Sequence, residues 1–75
     1  MKTLNELELG ETATIIGIDA DTVSQNRLNS MGVVKGKPIT LRNKAPFGDP
    51  RIYNVMDYEL TLRNADAQMV QIEAS

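Results

Sequence analysis

With 75 residues and a formal net charge of -2, from eight Lys and Arg against ten Asp and Glu, the chain has room for one small domain and little charge for general nucleic-acid binding. It contains no Cys and no His, which excludes disulfides, thiolate metal sites and imidazole ligands, so neither a metal nor a cofactor is expected. A chain of this size buries only about 60% of the surface its unfolded form exposes, too little for a deep cleft between lobes, so a binding module is favoured over a self-sufficient enzyme.

Thr3 to Glu6 has the spacing of a capping box, in which a Thr hydroxyl and a Glu carboxylate satisfy free N–H groups at a helix start. Only a single turn fits before Leu9-Gly10. The stretch ETATIIGI, Glu11 to Ile18, reads as a strand. Adjacent Ile15 and Ile16 cannot both face one side of a regular pleat, and a bulge at Gly17 lets Ile15 and Ile18 share the inner face. DTVSQNRLNSMG is the one real helix, with Asp21 or Thr22 as N-cap and Gly32 as a left-handed stop. Its apolar stripe, Val23, Leu28 and Met31, is thin, which predicts a helix lying across the rim of a sheet. Asp19 and Asp21 have the spacing that opens a calcium loop, but Val23, Ser24 and Ser30 stand where a ligand, a Gly and a Glu are required.

After a turn at Gly36, PITLRNK alternates, with Ile39 and Leu41 on one face and Thr40, Arg42 and Lys44 on the other. The pattern breaks at Ala45, passes through Pro46-Phe47-Gly48-Asp49-Pro50 and resumes at Arg51. The two prolines fix backbone angles while Gly48 and Asp49 suit turn conformations, so a stiff loop is expected there. RIYNVM and YELTLR form a hairpin around Asp57 with Leu60 and Leu62 inward. Asn64 is placed to cap one helical turn, NADAQ, before a last strand, MVQIE, with Val70 and Ile72 facing in. These elements amount to a mostly β fold: a small, partly open barrel of about five antiparallel strands, one α-helix and short helical turns. One domain is expected over 1–75, with only Met1–Lys2 and Ala74–Ser75 expendable. No apolar run reaches the roughly 20 residues of a membrane helix. MKTLNELELGE is no signal peptide, so a cytoplasmic location is expected.

In order along the chain, RLNSMGVVKG (Arg27 to Gly36), APFGDP (Ala45 to Pro50), LTLR (Leu60 to Arg63) and AQMVQIE carry a resemblance. The chain resembles the FeoA-type ferrous iron transport accessory proteins, SH3-like barrels also similar to the C-terminal domain of iron-dependent repressors. The resemblance runs from Leu7 to Glu73 and rests on the ordered set rather than on any single motif. It implies a cytoplasmic partner of the FeoB-type ferrous iron transporter, a membrane protein with a GTP-binding domain, and membrane association only through that transporter. An SH3-like barrel further implies that the APFGDP loop borders a binding groove.

Arg27, Leu28, Met31, Pro46, Phe47 and Tyr53 are the expected partner-binding surface, with Gly32, Gly36, Gly48, Asp49 and Pro50 shaping the turns. Arg27 has two readings: a structural fork tying down the helix end, which is favoured, or an arginine finger for a bound nucleotide. Phe47 is either an exposed anchor or a lid over an open barrel end, and the sequence does not decide between them. Lys35, Lys37, Arg42, Lys44 and Arg51 form a basic middle, read as a solvated face in preference to an acidic-partner, lipid or nucleic-acid contact. Met31, Met56 and Met69 are read as filling, since ferrous iron prefers harder ligands. Ser and Thr residues lack a His base and no Gly-rich phosphate loop occurs, so no catalytic residue is assigned.

Overall fold

Period-two apolar patterning builds most of the molecule. In the computed structural model, which describes residues 2–74, six strands form: β1 (Lys2–Thr3), β2 (Thr12–Ile18), β3 (Pro38–Lys44), β4 (Arg51–Val55), β5 (Tyr58–Leu62) and β6 (Val70–Ala74). A 3-10 turn (Leu4–Glu6) follows β1, helix α1 (Thr22–Ser30) lies between β2 and β3, and a single turn α2 (Asn64–Ala67) precedes β6. The strands make one antiparallel sheet in the order β1-β6-β2-β3-β4-β5. The sheet does not close, so β1 and β5 are its edges.

The sixth strand is β1, whose Lys2 and Thr3 pair with Ile72 and Gln71. Two residues are too few to show alternation, which is why the pattern passes them over. Lys2 and Ala74, expected to be expendable, are therefore both in the sheet, Ala74 opposite Ala13. Met1 and Ser75, named with them, lie outside the described residues. The capping box forms around the 3-10 turn, where the Glu6 carboxylate accepts the Thr3 N–H at 2.8 Å.

The core is wholly apolar in type and draws on every strand except β1. Leu4 and Leu7 enter from the first turn, Ala13 and Ile15 from β2, and Ile39 and Leu41 from β3. Tyr53 and Val55 come from β4, Leu60 and Leu62 from β5, and Val70 and Ile72 from β6. The register slips between Ile15 and Gly17, the bulge expected there, and Ile18 packs against the core as Ile15 does. A second bulge, between Leu41 and Asn43, was not foreseen because polar residues on an outer face give no register signal. Helix α1 contributes one fully buried side chain, Leu28, and otherwise stays wet. Val23, expected to pack, is 76% exposed on the first turn of α1.

Candidate functional site

The loop between β3 and β4 is held by its own backbone and by α2. Gly48 N donates to Ala45 O at 2.7 Å and Ala45 N to Pro50 O at 3.0 Å, closing the loop at both ends. Gly48 has φ +82°, a conformation that favours glycine, and the Asp49-Pro50 peptide is cis. The Asp49 carboxylate accepts the Asn64 N–H at 3.0 Å, and Gly48 O accepts from the Asn64 side-chain amide at 3.2 Å. Asn64 thus does not cap α2 as expected; it is the first helical residue, and Asp49, fifteen positions earlier, satisfies its free N–H. Arg63 stands 3.9 Å from the other Asp49 oxygen, a loose and exposed pair. This tethering leaves Phe47 at the loop tip 98% exposed, which decides against the lid reading. Pro46 beside it is also exposed.

Helix α1 faces the loop's anchor across α2. Asp21 is its N-cap, accepting the Ser24 N–H at 2.9 Å, and hydrogen bonding from Ser24, through its hydroxyl first and its N–H second, holds the Asp21 carboxyl below its usual range. Arg27 puts both terminal guanidinium nitrogens on Asp66 of α2, Nη2 to Oδ1 at 2.8 Å and Nη1 to Oδ2 at 3.3 Å. The hydrogen bonds to Arg27, more than charge alone, pull the Asp66 carboxyl below its usual range. One short helix, α2, therefore clamps α1 on one side and the Phe47 loop on the other.

Two expected surface residues have no surface to offer. Leu28 and Tyr53 are each fully buried, Leu28 as the single plug of α1 and Tyr53 as an inward residue of β4. The Tyr53 hydroxyl donates to Leu4 O at 3.3 Å, and burial pushes it to titrate above its usual range. Met31, partly buried, packs on the core edge, and Arg27 and Phe47 remain outside. Gly32, with φ +106°, follows Met31 as the expected stop. It carries a second constraint that the sequence does not reveal, since a Cβ there would fall 1.5 Å from the Tyr58 hydroxyl oxygen, which donates to Met31 O at 3.3 Å. Gly36 also has a positive φ, +92°, in the turn before β3.

The basic middle splits in two. Lys35, Lys37, Arg42 and Lys44 are exposed and make no ion pair among the described residues. Arg51 is withdrawn from that face, donating to Leu7 O at 2.8 Å from a half-buried position. A shallow pocket of about 180 Å³ opens between Gly17, Ile18, Gln25, Asn29 and Lys35, and shares no residue with the Phe47 loop. Among the described residues, no three side chains of His, Cys, Asp and Glu come together as a metal-holding group, and no helix is long and apolar enough to cross a membrane.

An unclosed antiparallel sheet with a helix between β2 and β3 and a tethered loop between β3 and β4 defines a small SH3-like domain. The chain belongs to the FeoA family, the FeoA domain matching residues 2–74. It is 40% identical over 70 residues to the Fe(2+) transport protein A/Fe(2+) transporter FeoB fusion protein of Porphyromonas gingivalis, a match covering 93% of this chain and 8% of that protein. Among solved structures it is similar to a FeoA-like protein from Clostridium acetobutylicum, at 32% identity and TM-score 0.87, covering 99% of this chain and 90% of that one. It is also similar to Stenotrophomonas maltophilia FeoA complexed with zinc, described as an SH3 domain protein, at 28% identity and TM-score 0.84, covering 97% and 91%.

Proposed function

We propose that this chain is a cytoplasmic, non-enzymatic accessory module of ferrous iron uptake that docks on a FeoB-type transporter. Docking uses the surface spanning Pro46 and Phe47 on the loop and the exposed sides of Arg27 and Met31 on α1. The observation that carries this reading is Phe47: a large apolar side chain left 98% in water by a loop whose carbonyl and carboxylate are both tied to Asn64. A rigid aromatic at low entropic cost is the kind of side chain that dominates interfaces. The Porphyromonas relative, in which a FeoA-like segment and FeoB share one polypeptide, supports the choice of partner. A GTPase-stimulating role through Arg27 is disfavoured, because both ends of its guanidinium fork are already engaged by Asp66.

The test is titration of this protein into a purified FeoB-type transporter, beside its isolated GTP-binding domain, with GDP or a GTP analogue. Saturable binding that Phe47→Ala weakens by about 10- to 100-fold is expected from the loss of one buried aromatic. Undiminished binding of Phe47→Ala would move the contact elsewhere. A GTP hydrolysis rate that rises with this protein and falls back on Arg27→Ala would reinstate the finger reading.

A further inference from the structure

Strand β5 ends the sheet with one side of its backbone unpaired. Its hairpin to β4 has a two-residue loop, Met56-Asp57, so the flanking pair Val55 and Tyr58 exchanges both ladder bonds, as do Tyr53 with Leu60 and Arg51 with Leu62. The N–H and C=O groups of Glu59 and Thr61 therefore point away from β4. None of the four has a main-chain partner elsewhere among the described residues. Glu59 and Thr61 are exposed, while Leu60 and Leu62 fill the core, so Glu59, Thr61 and Arg63 share the outer face. Helix α1 meets the two ends of this region through Tyr58 and Asp66 and uses no main-chain group of the strand.

The side chains on that edge are self-complementary. Antiparallel pairing of two copies about Thr61 sets Thr61 opposite Thr61 of the second copy and Glu59 opposite Arg63, twice by symmetry. Arg63 takes part through its side chain, which is 71% exposed and stands 3.9 Å from Asp49. Its carbonyl already accepts the Asp66 and Ala67 N–H groups, so the main-chain bonds of the ladder come from Thr61 and from Glu59 O with Arg63 N–H. Edge strands that avoid self-pairing present like charges to each other; here the central register presents opposite ones. We infer that the β5 edge is a homotypic docking surface, joining two copies of this chain through a two-fold β5–β5 ladder centred on Thr61. A five-residue strand buries less than a standard interface, so the association is weak and depends on concentration. This inference is independent of the proposed transporter contact at Phe47.

Sedimentation of the full chain from about 10 µM to about 1 mM should show the mass rising from monomer towards dimer. Glu59→Lys and Arg63→Glu, each of which faces like charges across the two-fold, should weaken association about tenfold or more. The exchanged double variant, Glu59→Arg with Arg63→Glu, should restore it. In the wild-type chain, which no folding defect can confound, the amide protons of Thr61 and Arg63 should exchange more slowly at the higher concentration. A monomer throughout the range, a dimer indifferent to either reversal, or Thr61 and Arg63 amides whose exchange ignores concentration would overturn the inference.

Discussion

Phe47 is the most exposed large apolar side chain among the described residues, at 98%, and its position is fixed by contacts it does not itself make. Replacing it should leave folding intact, and Phe47→Ala is expected to keep its melting temperature within about 2 °C, as surface changes away from packing usually do. Gly32 is the opposite case. Gly32→Ala must adopt a left-handed φ and push the Tyr58 ring aside, at a cost of about 2 kcal/mol or more. Thermal unfolding should show a drop of about 10 °C. The glycine stop was legible in the helix pattern. Tyr58 as its close neighbour was not, because the two lie on different elements and nothing local couples them. Leu28 and Tyr53 illustrate the converse limit: the sequence places them on the partner-binding surface, but their burial depends on which way the whole element turns.

The elements hold together through charges and caps that cross between them. Asp49→Ala removes the acceptor that satisfies the first N–H of α2, and by analogy with N-cap losses it should cost about 1 kcal/mol, some 5 °C in melting temperature. Glu6, Asp21 and Asp66 all titrate below their usual ranges, Glu6 and Asp21 chiefly through hydrogen bonds to Thr3 and Ser24, and Asp66 through those from Arg27. A depressed carboxyl stabilises the fold above its unfolded value and loses that contribution as pH falls through the folded one. Stability should thus be flat above about pH 5 and decline below about pH 4. Asp66→Asn should lower stability at neutral pH and make the acid decline shallower; an unchanged acid slope would show that the Arg27 pair contributes nothing. Strand positions and the bulge at Gly17 were readable because apolar side chains alternate with a fixed period. The partner of the first α2 N–H was not legible, since the sequence offers Asn64 locally as a cap and Asp49 only through the fold.

At the scale of the molecule, the sheet stays open because β5 and β1 do not meet, and α2 bridges the side where the long connections emerge. That bridge ties α1, α2 and the Phe47 loop together, and this is the surface proposed for the transporter contact. The overall class was legible from short alternating strands, one capped helix and an ordered set of motifs spanning the chain. The two-residue β1 was not, since pairing so brief leaves no pattern. The measurement that tests the account most directly is calorimetric titration of the wild-type protein and Phe47→Ala into a FeoB-type transporter in detergent. Saturable heat from the wild type, weakened about 10- to 100-fold by the substitution at equal melting temperature, is the predicted result. No binding by the wild type, or equal binding by both proteins, would contradict it.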